Sequence, residues 1–456
     1  MKFKTIEELL HYTEAIKGKT FKEIDSEHLL ENTTNLKRNK GILGHVVESG
    51  FYKYPINSNP QADFDKIGVE LKVTGYKKNK KGEKSAKERV SLSKIDFNKI
   101  VNEEYEYSKL IYKNKKILFI WYFYEKGKDI GDFLITDYQL YDMGQDEETI
   151  KNDFYIIKQK VKDGRAHELS ESDTSYLGAC TKARTSKDRT TQPNSTIPAK
   201  PRAYSLKNSY MSGILNSIGT TISFDTNEFK TVEEYVLAKL RPYIGKSQLE
   251  ILEEITGQTY KEKIPKNLNK MITDKIIGKD DELEEKHDLF KKTSFIIKNS
   301  PITPKGTYRE RMSFRNLTLS EFEETWEDSY WKLFFDETTI LNILWKEPKA
   351  GSKNGERILE GVNKISFNDD DLDLIERSYN MVKEAIKEED VSLLPYPNSF
   401  ENQILEIGPK GQKSDDAYNT FFNKDTTKTC FFLNKEILLE KKIKNNFNNK
   451  CSVYIK

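Results

Sequence analysis

A short apolar run at residues 67–73 reads IGVELKV and lies a few residues after Asp63. Because side chains alternate between the two faces of a strand, Glu70 and Lys72 share one face while the aliphatic residues point into a core. Two carboxylates close to an ammonium are a minimal set for holding Mg²⁺ and preparing a water to attack a phosphodiester. The run therefore predicts a half-buried strand that carries a nuclease site. An ordinary ion pair on a solvated strand face is the alternative.

The Glu-x-Lys spacing is weak by itself, since a chain with 32% charged residues produces it by chance. Four further copies occur, at Glu228–Lys230, Glu284–Lys286, Glu347–Lys349 and Glu440–Lys442. Only the copy at Glu70 lies in an apolar, strand-like run behind an aspartate, so the prediction concerns that copy alone.

Length and composition limit the class of protein. A chain of 456 residues predicts two or three domains, and a net charge of +2 favours no class of partner. Three widely spaced cysteines without a C-x-x-C motif fit a reducing cytosol and exclude a zinc ribbon or a disulfide framework. With no apolar run of about 18 residues and no signal peptide, a cytoplasmic protein that crosses no membrane is expected.

Positive charge is concentrated in one segment, residues 181–207, where Asp188 is the single acid. Such a segment suits a DNA backbone, with an ordinary solvated loop as the alternative. Its residues favour neither helix nor strand, and its length predicts a functional or disordered loop. Its basic residues are Lys182, Arg184, Lys187, Arg189, Lys200, Arg202 and Lys207.

Hydrophobic periodicity predicts an α/β fold, a mixed sheet flanked by helices. Residues 117–123 are apolar on both faces, which is typical of a central buried strand. A lysine-rich turn at 77–82 would join strands 67–74 and 88–93 as a hairpin. The other predicted strands are 132–138, 176–180 and 203–206, and the predicted helices are 6–10, 44–50, 147–162 and 208–217.

The second half of the sequence matches the first in order, which favours an internal duplication over unrelated domains with similar strand composition. Trp326 matches Tyr105 at a shift of 221 residues, and Lys410 matches Lys182 at a shift of 228. Two tandem domains are predicted, at 1–219 and 220–456. Ile296 takes the place of Glu70, and an aliphatic side chain cannot bind Mg²⁺. The second domain is therefore expected to bind without cutting.

One matched pair predicts a structural contact. The neighbours Glu88 and Arg89 recur as Glu310 and Arg311. Adjacent opposite charges in both halves suggest the same ion pair in each domain.

Several blocks, in this order, resemble MutH, a mismatch-repair nicking endonuclease, and resemble more closely the MutH-like type II restriction endonucleases that cut GATC. The resemblance is good over residues 1–217 and weak over 220–456. The blocks are 41–48 (GILGHVVE), 63–72 (DFDKIGVELK), 166–171 (AHELSE), 174–177 (TSYL), 180–182 (CTK) and 202–207 (RAYSLK), with Tyr210-Met211 after them.

The resemblance implies the restriction-endonuclease fold and a D…E-x-K site. By position, Asp63 and Glu70 would bind the metal, Lys72 would position or activate the water, and Glu48 would lie at the edge of the site. Lys182 would contact the recognition bases, with Lys410 as its counterpart in the second domain. The other basic residues of 181–207 would contact phosphates or base edges. MutH has an arginine where this chain has Cys180, so the details of base reading stay open.

The activity implied by the resemblance is Mg²⁺-dependent double-strand cleavage of DNA at GATC, with the second domain binding another DNA site as an effector. The expected partners are two stretches of double-stranded DNA, a second copy in a DNA-induced dimer and, genetically, a cognate DNA methyltransferase. A MutH-type nicking enzyme is a second hypothesis, although family nicking enzymes are single-domain. A non-catalytic DNA-binding regulator is a third, although it would not need Asp63, Glu70 and Lys72.

Overall fold

The computed structural model describes residues 3–32, 41–56, 61–78, 82–183, 185, 187–218, 231–257, 264–278, 293–411 and 413–450. The chain divides into two compact units. Unit 1 comprises Met1–Thr226 and Lys291–Thr293, and unit 2 comprises Asn227–Phe290 and Ser294–Lys456. In the part of the chain that is described, no helix is long and apolar enough to cross a membrane.

Two larger sheets and a short ribbon make up the strands of unit 1. The sheets have the orders β2-β1-β4-β5 and β3-β9-β6, and β7 pairs with β8. The strands are β1 (Val69–Lys78), β2 (Lys84–Ala86), β3 (Val90–Lys94), β4 (Lys116–Phe123), β5 (Leu134–Asp142), β6 (Leu177–Thr181), β7 (Thr190–Gln192), β8 (Ser195–Ala199) and β9 (Arg202–Leu206).

Strand β4 lies at the centre of the first sheet, as its continuous apolar sequence predicts. It pairs in parallel with β1 and antiparallel with β5. Its residues Ile117–Trp121 are all fully buried, which agrees with helices and loops covering both faces. The pairing places Glu70 beside Ile117 and Lys72 beside Phe119, so the acid and the lysine are held against the buried central strand of the sheet.

Eight helices are described in unit 1. They are α1 (Ile6–Thr13), α2 (Phe21–Ile24), α3 (Leu29–Asn32), α4 (Ile42–His45), α5 (Phe97–Ile100), α6 (Lys109–Asn114), α7 (Glu147–Lys162) and α8 (Asn208–Asn216). The predicted helix 147–162 is confirmed. Its buried Asp153 accepts hydrogen bonds from the backbone N–H groups of Ser175, Tyr176 and Leu177 at 2.7–2.9 Å, which secures the start of β6.

The structure corrects two predictions about strands. The partner of β1 in the hairpin is β2, whereas residues 90–94 cross to the second sheet and pair with β9. The basic segment is also more ordered than expected, because β7 and β8 form an antiparallel ribbon within it. The buried amide of Gln192 holds this ribbon through hydrogen bonds with the Ala166 N–H and the Ile197 carbonyl. Interactions with a distant turn thus order residues whose local propensity is low.

Unit 2 contains two three-stranded sheets, of orders β10-β12-β13 and β11-β15-β14. Strand β10 pairs in parallel with β12, and β13 pairs with β12 antiparallel. This is the order and direction of β1, β4 and β5, and the second sheet likewise repeats β3, β9 and β6. The strands are β10 (Phe295–Ile302), β11 (Met312–Thr318), β12 (Thr339–Lys346), β13 (Ile358–Ile365), β14 (Leu405–Pro409) and β15 (Thr426–Leu433).

The last four helices of unit 2 pack around a separate core that includes Trp331, Ile375 and Phe431. Seven α-helices are described in this unit. They are α9 (Val232–Leu240), α10 (Gln248–Thr256), α11 (Leu268–Ile277), α12 (Tyr330–Glu337), α13 (Asp369–Glu388), α14 (Ser414–Asn419) and α15 (Lys435–Lys450). Each unit therefore has its own sheets, helices and core, as expected of a domain.

Candidate active site

The carboxylate of Glu70 is the centre of the candidate site. The residue is only 1% exposed, although it is an acid. Its Oε1 accepts a hydrogen bond from Lys72 Nζ at 2.7 Å, as strand alternation predicts. Its Oε2 is buried and has no hydrogen-bond partner among the described residues. Burial raises the pKa of Glu70 and the Lys72 ammonium opposes that rise, so an ionised Glu70 needs further positive charge.

Asp63 reaches the site through a tight turn. A bridge between Phe64 and Val69 closes the turn, and Gly68 adopts the left-handed conformation with φ of 64°. Glycine tolerates this conformation without steric cost. The chain thereby returns beside itself, and Asp63 Oδ2 accepts the Leu71 N–H at 3.0 Å. Asp63 and Leu71 are eight residues apart in the sequence, but the turn brings them into direct contact next to Glu70.

Glu48 lies in a π-helical turn, Val46–Phe51, that continues α4. The expected helix at 44–50 is thus present with a wider turn, a feature common at functional sites. Burial, followed by repulsion from Asp63 and Glu70, raises the pKa of Glu48 to about 7. Its Oε1 is also buried, without a hydrogen-bond partner in the described part of the chain. Glu48 therefore faces the same acidic cluster.

Lys113 is a site residue that the sequence analysis missed. It lies on α6, and its Nζ is 3.5 Å from Glu70 Oε1. It also opposes the rise in the pKa of Glu48. The signal in the sequence was a lysine just before the buried strand at 117–123, which neighbours the Glu70 strand. Two lysines, Lys72 and Lys113, thus lie close to three acids, Glu48, Asp63 and Glu70.

This arrangement suits a hard divalent cation. Two buried carboxylate oxygens, Glu70 Oε2 and Glu48 Oε1, remain without hydrogen-bond partners, and acids crowd together where a cation would relieve their repulsion. Over the described ranges, no three acidic, histidine or cysteine side chains converge closely enough to hold a metal by themselves. The residues fit an ion such as Mg²⁺, which keeps several waters and takes few protein ligands.

The predicted DNA-binding residues separate into two groups. Lys182, Lys187 and Arg189 are exposed and Lys200 is half-buried, while Arg184 lies outside the described residues. Three cations of the basic segment are thus exposed at the surface, where positive charge attracts a large anionic partner.

Arg202 and Lys207 correct the prediction, because both are 2% exposed. Arg202 donates to the carbonyls of Ala179 and Leu169, and Lys207 donates to the carbonyl of Thr174. These buried groups hold β6 and its preceding turn, so they do not belong to the exposed basic surface.

Unit 2 has a different set of side chains at the matching positions. Ile296 pairs with Ile340 on β12, as Glu70 pairs with Ile117 on β4. The lysine is retained as Lys298, whose Nζ donates to the Ser313 carbonyl at 2.8 Å. Burial lowers the pKa of Lys298. No carboxylate takes the place of Glu70 there.

The helix before β12 also lacks a lysine at the position that matches Lys113. Ser108 caps α6 and accepts a hydrogen bond from the N–H three residues later, and Ser329 does the same for α12. Counted from these serines, Phe334 stands where unit 1 has Lys113. Phe334 packs against the core of unit 2.

Lys410 stands at the position matched with Lys182. Its ammonium donates a hydrogen bond to the Phe314 carbonyl at 2.5 Å, so this lysine contacts the backbone of its own unit.

The fold and this cluster of side chains point to a nuclease of the restriction-endonuclease type. Glu70 and Lys72 lie on β1, which pairs in parallel with β4. Asp63 lies beside them, and Glu48, from the π-helical turn, is the third acid of the cluster.

Comparison with known proteins agrees. The family described as DNA mismatch repair enzyme MutH matches residues 52–153. The type II restriction enzyme Sau3AI of Staphylococcus aureus is 34% identical over 388 residues, 79% of this chain and 76% of that protein. The chain belongs to this MutH-related family of type II restriction enzymes and is an endonuclease.

MutH proteins match a shorter part. The MutH of Vibrio campbellii is 27% identical over 46% of this chain and 92% of that protein. The MutH of Actinobacillus pleuropneumoniae serotype 3 is 25% identical over 46% of this chain and 93% of that protein. A whole MutH thus corresponds to less than half of this chain, whereas the restriction enzyme extends across most of it.

Proposed function

We propose that unit 1 hydrolyses phosphodiester bonds in double-stranded DNA at a short site, GATC, with Mg²⁺ as cofactor, and that both strands are cut. The observation that carries the proposal is the buried Glu70 carboxylate, which lies between two lysines and beside Asp63 and Glu48. Burying a carboxylate with an unsatisfied oxygen costs free energy, which a bound cation would offset. GATC itself rests on the resemblance to relatives.

Each side chain has a role in this proposal. Asp63 and Glu70 would hold the cation, which when bound polarises the phosphate and stabilises developing negative charge. Lys72 favours the ionised form of Glu70 and presents N–H donors to the attacking water or a phosphate oxygen. Glu48, with its pKa of about 7, can accept a proton from a water near neutral pH.

The exposed and half-buried cations of the basic segment would bind the DNA. Lys182, Lys187, Arg189 and Lys200 supply positive charge that neutralises phosphates, and Lys182 would contact bases.

Unit 2 would be a degenerate copy that binds a second DNA site as an effector. The support is the repeated order of strands, together with Ile296 and Phe334 in place of Glu70 and Lys113. Since each chain then has one cutting site, cleavage of both strands would require a second copy, assembled on DNA. A cognate methyltransferase would protect host sites.

The first experiment incubates a supercoiled plasmid bearing GATC with the protein and Mg²⁺. Linear products support the proposal, whereas nicked circles would favour a repair-type nicking enzyme. Glu70→Gln should bind the plasmid and leave it intact. The matched control is Glu125→Gln, which removes an exposed glutamate paired with Lys128 and should cut normally. Normal cutting by Glu70→Gln would refute the site.

A second experiment addresses the effector role. Cleavage of a one-site duplex is measured with and without a short, uncleavable GATC duplex in trans. Stimulation that saturates with the added duplex supports a second binding site. Simple competitive inhibition at all concentrations would contradict it.

A further inference from the structure

An arginine occurs at the same place in both units, and in each it meets a buried carboxylate. Arg89 Nη1 lies 3.4 Å from Glu171 Oε1, and Arg311 Nη1 lies 2.9 Å from Glu406 Oε1. The expected pairs with the adjacent Glu88 and Glu310 are therefore wrong, because both of those acids are exposed and the arginines pair with Glu171 and Glu406 instead.

The pairing register establishes that the two positions are equivalent. In unit 1, Leu206 pairs with Val90 on one side and Leu177 on the other. In unit 2, Leu433 pairs with Met312 and Leu405 in the same way. Arg89 and Arg311 each stand one residue before the first of these partners, so each immediately precedes the equivalent strand of its unit.

The same register shows that the carboxylates come from different parts of the chain. Glu406 lies on β14 at the position that Gly178 takes on β6, one residue after Leu405 and Leu177 respectively. Glu171 instead lies in a turn before β6. A β-carbon at Gly178 would overlap the carboxylate of Glu171. In each unit a carboxylate therefore lies beside the equivalent arginine, although the two carboxylates come from non-equivalent positions in the sequence.

This arrangement is a poor means of stabilising the fold. Glu171 is fully buried, it accepts from the Ser205 hydroxyl at 2.9 Å, and its Oε2 has no hydrogen-bond partner in the described part of the chain. Desolvating such a pair often costs as much as the attraction returns. What both units share is an arginine whose guanidinium lies beside a buried carboxylate.

The position of Arg89 can be related to the active site along β3. The Ser93 hydroxyl at the far end of β3 accepts from Asn114, the neighbour of Lys113 in the active site. Arg89 is four residues from Ser93, about 13 Å along a strand, which is about four base pairs of B-DNA. In unit 2, Arg311 borders an open cleft of about 620 Å³ with Glu310 and Lys435.

We propose that Arg89 reads a base edge within the recognition site, with Glu171 as its positioning residue. The proposal rests on the DNA cleavage proposed above. A planar guanidinium of fixed direction matches the O6 and N7 acceptors of guanine, whereas phosphate contacts need mainly charge.

The first test is Arg89→Lys, which keeps the charge and loses the planar fork. Cleavage of duplexes with the intact site and with each single-base variant is compared for the full-length protein and Mg²⁺. We expect kcat/KM on the intact site to fall about 10–100-fold, with discrimination lost at one base pair. Arg165→Lys, which alters a surface arginine paired with Glu168, is the matched control.

Three results separate the possibilities. Unchanged cleavage by Arg89→Lys would refute the inference while the proposed function stands. An equal loss on every sequence would indicate a phosphate contact and would also refute base reading. If the wild-type protein cuts no DNA, the proposed function itself fails.

The second test moves the carboxylate as unit 2 does. Glu171→Ala should lose the same discrimination as Arg89→Lys, and Gly178→Glu alone should destabilise the protein because two carboxylates would overlap. The double variant Glu171→Ala/Gly178→Glu should restore both folding and discrimination. A folded double variant that discriminates no better than Glu171→Ala would overturn the positioning role.

Discussion

The ammonium of Lys113 lies 3.5 Å from Glu70 Oε1, on the same oxygen that Lys72 contacts at 2.7 Å. The two lysines come from a helix and a strand that are separated by about 40 residues of sequence. Both ammonium groups are largely shielded from water, with side chains 22% and 23% exposed. Together they offset the cost of burying an acid that would otherwise take up a proton.

Lys113→Met should shift the acid limb of the pH–rate profile to higher pH. Removing the cation takes away one interaction that lowers the pKa of Glu70, so a smaller fraction of the carboxyl is ionised at neutral pH. We expect kcat near pH 7 to fall about tenfold. Lys109→Met, on the exposed face of the same helix, is the control, and superimposable profiles for both variants would contradict the role of Lys113.

The raised pKa of Glu48 predicts a pH dependence of stability in the absence of divalent cations. Its pKa is about 7 in the folded protein against an ordinary value of 4.5, so the folded state binds the proton more tightly. This contribution to stability is complete below about pH 4.5 and is lost as the pH rises towards about 7, by about 2 kcal/mol once solvent screening at this half-buried carboxyl is included. Urea unfolding across this range should show the decline, and Glu48→Gln should flatten it. An identical slope in that variant would disprove the assignment.

Gly50→Ala should destabilise unit 1 and displace Glu48. A β-carbon at Gly50 would lie 2.9 Å from the Ile24 carbonyl oxygen, a backbone atom that cannot move aside easily. We expect a loss of about 1–3 kcal/mol. Gly44→Ala provides the contrast, because nothing lies within 4 Å of its added carbon. Thermal unfolding compares the two, and equal melting temperatures would rule out the close approach.

Lys187→Ala combined with Arg189→Ala should weaken DNA binding without affecting the fold. Both residues are exposed in the basic segment. If each neutralises one phosphate, the slope of log Ka against log salt should decrease in magnitude by about 1.8. The double change Lys99→Ala and Lys128→Ala, elsewhere on unit 1, should leave the slope unaltered. Fluorescence anisotropy at several salt concentrations gives both slopes, and matching values would exclude the phosphate contacts.

Arg202→Met should lower stability rather than alter the salt dependence of binding. The change leaves the buried carbonyls of Ala179 and Leu169 without this donor. A loss of about 2–4 kcal/mol is expected in chemical denaturation. If the variant has wild-type stability but binds DNA more weakly, Arg202 contacts DNA and its structural role is contradicted.

Local pattern was sufficient for the features that depend on neighbours in sequence. Alternation along β1 places Glu70 and Lys72 together, continuous apolar sequence marks β4 as central, and helical periodicity gives α7 with its observed ends. These features follow from the geometry of one strand or one helix, so no distant contact is needed to predict them.

Folding decided the features that depend on residues far apart. Three such features are the contact of Lys113 with Glu70, the position of Glu48 near the other acids and the pairing of Arg89 with Glu171. Each joins separate elements, so it forms only when sheets and helices pack. Burial likewise separated Arg202 and Lys207 from the exposed cations beside them, although all are basic residues in one segment. Periodicity records which side of an element a residue faces, but only the assembled core determines what lies opposite that side.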